Sequence, residues 1–392
     1  MKKEKLNIGV IGCGNIAEVY IPNMIRHFPN IEVVACASRT FASAKKACET
    51  FGVERALTVD ELLADKTINL VVNLTVPQAH YELNKRILEA GKHVYCEKPF
   101  ALTFEEAKEV TDLAKEKGLY AVAAPDTFLG SSLQTMRKLL DDGTIGRVTG
   151  FTANSWQHGC ELWHPAPWFS YQIGGGPVMD LANYFMSALI FLLGPVKEIY
   201  CKYTCPTPMR PIKGELFEVE VNTFCSAVVT FESGITGTIL SSYDIWQSQL
   251  PPIEVYGDDG VLYGSDPIMF GGSVKHYDGR ALEAHINECE GFFEKLMAMH
   301  GPGKTQFLKD VPSLFPEDDD PHSNMRGLGV ADLASAILTG RSPRVSGDFS
   351  LHLLEALAGF QISSDENRVY QMTTTCSRPA PMPEGLGLWE MD

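Results

Sequence analysis

Leu6–Ile11 reads LNIGVI, and the chain then turns through Gly12-Cys13-Gly14-Asn15-Ile16-Ala17 into a helix-like pattern that runs to His27. A short apolar strand, a glycine turn and a helix in that order form G-x-G-x-x-A in the setting that a dinucleotide-binding turn requires. The first glycine permits the tight turn, the second lets the backbone approach a pyrophosphate, and the small sixth residue lets helix and strand pack closely. The free N–H groups at the helix start then face the phosphates. Gly12, Gly14, Asn15 and Ile16 are therefore candidate cofactor-binding residues.

The alternation continues outward from this turn. Ile31–Ala37 (IEVVACA), Leu70–Leu74 (LVVNL), His93–Cys96 and Tyr120–Ala123 read as strands. Helical patterns lie between them at Phe41–Phe51, at Gln78–Ala90 before Gly91, and after the capping box Thr103-Phe104-Glu105-Glu106, up to Gly118. Apolar strands alternating with helices predict a Rossmann-type, doubly wound parallel sheet, whose ligands sit beyond the carboxyl ends of the strands. Ser38-Arg39-Thr40 ends the second strand, where an acidic residue would hold the ribose of NAD. Ser38 and Arg39 suit a 2′-phosphate, because a guanidinium offers a planar fork of donors. NADP is favoured over NAD on that ground; the plainer alternative is a solvated loop arginine.

From about Pro125 the pattern changes. Ser131–Asp141 reads as a connecting helix, followed by strand-like runs at Arg147–Trp156, Val196–Thr204, Glu218–Phe231, Ile235–Tyr243 and Ile253–Tyr256. Met325–Thr339 and Ser350–Ser364 read as late helices, and Pro312–Pro321 as a solvated acidic loop. The expected class is α/β: an N-terminal Rossmann domain over residues 1–125, then an α+β domain over 126–392 with a large, mostly antiparallel sheet for substrate binding and oligomerisation. Between the first two of these runs lies GGGPVMDLANYF, Gly174–Phe185. Its glycines permit a close backbone approach, and Asp180 and Tyr184, spaced i, i+4, share one face of a helix. Alone they read as a first-turn acid and a core aromatic; beside a glycine run they could handle a proton.

The 392 residues carry 33 Lys+Arg against 49 Asp+Glu, a net charge of −16. That balance argues against a nucleic-acid partner. The longest apolar run, Phe185–Val196, falls short of the ~20 residues that cross a bilayer, and glycines break the N-terminal apolar stretch too early for a signal peptide. A cytoplasmic protein with reduced cysteines is expected. Its ten cysteines form no zinc pattern, and no metal site is expected.

The motifs GVIGCGNIA, LTVPQAH (Leu74–His80), CEKP (Cys96–Pro99), GGGPVMDLANYF and RGLGVADLASAI together resemble the glucose–fructose oxidoreductase, inositol dehydrogenase and rhizopine-catabolism family (Gfo/Idh/MocA) along essentially the whole chain. The resemblance implies that Lys98 projects to the reacting centre, with Pro99 fixing the turn through a cis bond. It implies that Thr75 and Pro77 line the nicotinamide half of the cofactor, that His80 of the same motif also contacts it, and that Glu97 bonds the ribose or orients the lysine. Asp180 is the second-domain aspartate. Many relatives carry histidine four residues later, where this chain has Tyr184. A phenol titrates near ~10 and would need Lys98 to lower it. Trp163 and His164, in the loop His158–Pro165, suit a sugar: one stacks on its apolar face and the other bonds its hydroxyls.

The expected activity is NAD(P)-dependent hydride transfer at a carbinol or carbonyl of a sugar, sugar derivative or cyclitol, with Lys98, Tyr184 and Asp180 catalytic. Lys98, Asp180, Tyr184, Trp163 and His164 would contact substrate. The alternatives are redox-neutral glycoside cleavage on a bound NAD and a non-catalytic dinucleotide sensor. A homo-oligomer, dimer or tetramer, is expected, as in relatives.

Overall fold

A computed structural model describes residues 5–164, 166–315, 320–387 and 389–392. Met1–Glu4, Pro165 and part of the acidic loop (316–319) lie outside the described residues. The chain divides into two compact units. The first comprises Met1–Leu129, Asn324–Gly359 and Met372–Asp392; the second comprises Gly130–Ser323 and Phe360–Gln371.

In the first unit, six parallel strands carry the fold: β1 (Leu6–Ile11), β2 (Ile31–Ala37), β3 (Arg55–Leu57), β4 (Leu70–Asn73), β5 (His93–Cys96) and β6 (Ala121–Ala123). Their order is β3-β2-β1-β4-β5-β6. The crossovers are α1 (Ala17–His27), α2 (Phe41–Phe51), α3 (Val59–Ala64), α4 (Pro77–Glu89) and α5 (Phe104–Lys117). Thr40 caps α2, and Gly52 ends it in the left-handed region. Thr103 and Glu106 form the expected capping box on α5, which stops at left-handed Gly118. The expected strands and helices are present. β3 and α3, too short to carry a period, went unread, although Thr58 and Glu61 form a second capping box there.

This unit also contains sequence from the last third of the chain, which a division at residue 125 would assign to the second domain. Asn23 donates through Nδ2 to the Asn324 and Arg326 carbonyls at 2.9 and 3.0 Å. Asn30 reaches the Ala331 carbonyl at 2.9 Å, on α10 (Leu328–Thr339). Ser350 Oγ accepts the Ala123 N–H at 3.0 Å, from α11 (Gly347–Glu366). These pairings join residues some 230 to 300 positions apart, a span over which no local pattern operates.

The second unit is built on a nine-stranded sheet. Helix α6 (Ser131–Asp141) and the wholly buried α7 (Asn183–Leu193) belong to it. Its strands are β7 (Val148–Trp156), β8 (Val196–Thr204), β11 (Phe224–Phe231), β12 (Thr236–Ser242), β13 (Ile253–Gly257), β14 (Gly260–Gly264), β15 (Val274–Asp278), β16 (Leu308–Val311) and β17 (Tyr370–Gln371). A separate ribbon pairs β9 (Met209–Ile212) with β10 (Glu215–Glu218). The sheet order is β16-β15-β14-β13-β7-β12-β11-β8-β17, with β7–β12 parallel and the other pairs antiparallel. Alternating burial along β8 and β11 marks a sheet covered on one face. The expected strand Glu218–Phe231 is in fact the end of β10, a linker, and β11. Helices α8 (Gly279–Glu288) and α9 (Phe292–His300) lie where none was expected. The long apolar run is α7, a core helix. Among the described residues no helix is long and apolar enough to cross a membrane.

Candidate functional site

In the first unit the strand order reverses between β1 and β4, whose ends pair as Ile11 with Asn73. A doubly wound sheet opens a crevice at that point. A cleft of about 770 Å³ lies here. Gly12, Gly14, Asn15 and Ile16 line it after β1, Ser38 and Arg39 after β2, and Thr75 after β4. Gly12 has φ +105°, and a Cβ there would fall 2.5 Å from the Leu74 carbonyl carbon, so only glycine lets the two strand ends close up. A Cβ on Gly14 meets nothing within 4 Å, which leaves its backbone open to the cleft. The α1 N-terminus and this open glycine fit a pyrophosphate; Arg39 lines the cleft and is exposed.

Pro77, His80 and Glu97 are not part of that cleft wall. His80 is fully buried on α4, its Nδ1 2.6 Å from the Pro99 carbonyl oxygen and its Nε2 3.0 Å from that of Thr75. It ties together the two loops that follow β4 and β5, and burial holds its pKa below the ordinary histidine value. Glu97 accepts the Tyr20 hydroxyl at 2.7 Å and the Lys98 N–H at 2.8 Å. The second of these bonds engages the backbone of Lys98. Lys98 stands two residues beyond the carboxyl end of β5, half-buried, and the Lys98–Pro99 bond is cis, as expected.

Sequence reasoning missed Asn73. Its Oδ1 accepts the Thr75 hydroxyl at 2.7 Å and the Thr75 N–H at 3.2 Å, while its Nδ2 donates to Asn84 at 2.9 Å. A buried asparagine closing an otherwise apolar strand was the available signal, since such a group must find partners. Tyr20, buried on α1, could not have been paired with Glu97 from sequence.

In the second unit the segment Gly174–Tyr184 is shaped by its own chain. Gly174 and Gly176 have positive φ. A Cβ on Gly175 would lie 2.5 Å from the Phe169 carbonyl oxygen, and one on Gly176 2.8 Å from the Tyr203 hydroxyl. What approaches these glycines closely is the protein itself. The helix then opens with a π-helical turn, Val178–Ala182, before α7 continues from Asn183. Asp180 therefore sits in the wide turn and Tyr184 in the first α-helical turn; such bulges frequently occur at functional sites. Asp180 is half-buried, and its Oδ2 accepts the Tyr243 hydroxyl at 2.6 Å. Tyr184 is buried, with its carbonyl accepting the Ser187 hydroxyl at 2.8 Å.

Behind Asp180 lies a buried network centred on Arg210 of β9. Its Nη1 bonds Glu161 at 2.9 Å, and its Nη2 bonds Asp244 at 2.5 Å and the Tyr243 carbonyl at 3.1 Å. Burial favours the protonated Glu161, but hydrogen bonds from Tyr171 and Arg210 outweigh it and hold the carboxyl below its usual range. Burial, then the adjacent Asp180 charge, push the Tyr243 phenol well above its usual value, so its hydroxyl stays a donor. Arg210 pins the loop bearing Glu161 to the strand end bearing Tyr243. Nothing in the sequence around MRPI marks it.

Trp163 is exposed on that loop. His164 packs edge-on to Trp163 and Phe169, and its Nδ1 accepts the Ala166 N–H at 3.0 Å, so part of its bonding capacity serves the loop. Among the described residues no cluster of three or more His, Cys, Asp or Glu side chains could hold a metal ion.

Residues 6–124 match the oxidoreductase family with an NAD-binding Rossmann fold, and residues 133–263 match the GFO/IDH/MocA C-terminal domain. An uncharacterised oxidoreductase of Schizosaccharomyces pombe is 32% identical over 214 residues, 54% of this chain and 58% of that protein. The chain thus aligns with less than two thirds of the length of that relative. The levoglucosan dehydrogenase of Pseudarthrobacter phenanthrenivorans is 25% identical over 288 residues, 66% of this chain and 73% of that one. The crystal structure of an NAD-binding oxidoreductase from Klebsiella pneumoniae superposes with a TM-score of 0.77 at 24% identity, covering 94% of this chain and 99% of that one, which establishes a shared fold. With more than half of the chain matched by its two models, the chain belongs to the Gfo/Idh/MocA oxidoreductase family.

Proposed function

We propose that this protein is an NAD(P)-dependent dehydrogenase or reductase acting on a carbinol or carbonyl carbon of a sugar, sugar derivative or cyclitol. The observation that carries the reading is the cleft at the β1/β4 reversal, open at Gly14 and walled by a match to an NAD-binding family. When bound, the nicotinamide supplies the hydride exchange, and the protein supplies orientation and electrostatics. Gly12, Gly14, Asn15 and Ile16 hold the pyrophosphate, Thr75 faces the nicotinamide half, and Ser38 with Arg39 take the 2′-phosphate of NADP.

Lys98, Tyr184 and Asp180 handle the substrate hydroxyl. Tyr184 exchanges its proton, Lys98 supplies a positive charge at the reacting centre, and Asp180 orients the hydroxyl or the phenol. Trp163 and His164 contact the sugar ring. The levoglucosan dehydrogenase relative supports a carbohydrate substrate.

The test is a screen of D-glucose, myo-inositol, levoglucosan, a nucleotide sugar and an aryl glycoside with NAD and NADP, followed by the absorbance of the reduced nicotinamide. Turnover of at least one with net reduction of cofactor is expected. Glycoside cleavage with no net reduction would move the activity to redox-neutral elimination. Dinucleotide binding without turnover of any probe would favour a sensor.

A further inference from the structure

The β9–β10 ribbon stands apart from the nine-stranded sheet, yet its first strand turns two side chains inward, Arg210 and Ile212. Ile212 joins a small apolar core with Cys160, Tyr171, Leu181 and Tyr243. Arg210, its side chain 2% exposed, lies over the Tyr171 ring at 5.0 Å from the centroid. It sets one positive charge between two carboxylates that are themselves 6% and 10% exposed, Glu161 and Asp244. Such a cluster is a poor source of stability. Burying three charges costs solvation that ion pairing offsets only in part. The Arg210 Nε–H, moreover, has no partner among the described residues, and a buried donor left unmade is costly. What the cluster does supply is direction, because a planar guanidinium holds carboxylates at fixed angles.

The two arms of the guanidinium lead to different places. Glu161 stands two residues before exposed Trp163 and three before His164, so the first arm anchors the loop given the sugar contacts above. The second arm holds Asp244 and the Tyr243 carbonyl, and the Tyr243 hydroxyl donates to Asp180 Oδ2 at 2.6 Å. The Thr223 hydroxyl secures Asp244 from another side at 2.6 Å. Leu181, the neighbour of Asp180 in the π-helical turn, packs in the core that Ile212 joins. We infer that the ribbon is a positioning element of the reaction and Arg210 its positioning residue: the Glu161 arm sets how tightly the sugar is held, and the Asp244 arm sets how Asp180 meets the substrate hydroxyl. The inference rests on the sugar dehydrogenase reading above. Freeing a binding loop weakens the ground state and the transition state alike, which raises KM. Misaligning a group that orients the reacting hydroxyl lowers kcat instead.

The test is steady-state kinetics on the full chain, with whichever sugar, cyclitol or glycoside of the screen above the wild type turns over. Glu161→Gln should raise KM about fivefold or more and leave kcat within about twofold. Asp244→Asn should lower kcat about fivefold or more and leave KM within about twofold. Arg210→Lys, which keeps the charge and loses the fork, should do both. Tyr243→Phe deletes the last link to Asp180 without touching either ion pair, so it should follow Asp244→Asn and stands in for it if that variant does not fold. Circular dichroism and NADH affinity, a property of the first unit, should stay at wild-type values throughout. A role in stability alone would move KM and kcat together in every variant. That result, or unchanged kinetics in folded variants, would overturn the inference. A wild type that turns over none of the probes would overturn the dehydrogenase reading, and the inference with it.

Discussion

Gly14 and Gly175 each sit in a glycine-bearing turn that leads into a helix. A methyl group added to Gly14 meets nothing within 4 Å, whereas on Gly175 it would lie 2.5 Å from the Phe169 carbonyl oxygen. The first turn leaves its backbone open to a cleft. The second spends its glycines on packing against its own loop, and so fixes where the π-helical turn bearing Asp180 begins. A glycine run records only that something comes close. Whether that something is a ligand or the chain is decided by what surrounds it.

On this reading the first segment governs dinucleotide affinity and the second governs rate. The largest expected effects test that division at the chemistry. Lys98→Ala and Tyr184→Phe should each lower turnover by ~10²–10⁴-fold, the range for a positioned proton-transfer group. NADH affinity, measured by fluorescence titration, should stay within a few-fold. A Tyr184→Phe enzyme that turns over at the normal rate would remove the second segment from the chemistry.

The glycines themselves give the next effects, and these should be opposite in kind. Gly175→Ala should destabilise the fold by about 1–3 kcal/mol, the cost of overpacking, seen as a drop of several degrees in Tm with NADH affinity intact. Gly14→Ala should leave Tm unchanged and weaken NADH about tenfold, or ~1.4 kcal/mol. If Gly14→Ala bound NADH normally, the open backbone would not be where the pyrophosphate approaches.

Arg39→Asp sharpens the cofactor side of the comparison. It removes a cation and adds a repulsive charge, so NADPH should weaken about tenfold relative to NADH. Equal affinities before and after would return Arg39 to the status of a solvated loop residue.

The smallest effect is expected at Tyr243→Phe, which deletes the 2.6 Å bond to Asp180 and keeps the ring. The loss of stability should be about 0.5–1.5 kcal/mol by urea denaturation. No change would mean that Asp180 is held by its other surroundings.

The parallel sheet and its binding turn were legible because their signals are local. Short apolar strands, the capping box at Thr103, and left-handed glycines at 91 and 118 each act over a few residues. The cis Lys98–Pro99 bond agrees with what the family resemblance implied. Tertiary structure alone decided that Asn324–Gly359 and Met372–Asp392 join the first unit, through side chains such as Asn23 and Asn30 meeting carbonyls some 300 positions away. It decided that His80 links two loops and that Glu97 holds the Lys98 backbone, where sequence offered the cofactor for one and two roles for the other. It placed Arg210 and Tyr243 behind Asp180, though no motif marks either. The physical reason is the same throughout. Backbone preference and hydrophobic period are properties of neighbours in the chain, whereas a buried polar group must be satisfied by whatever the fold brings within about 3 Å, and that partner has no fixed distance in sequence.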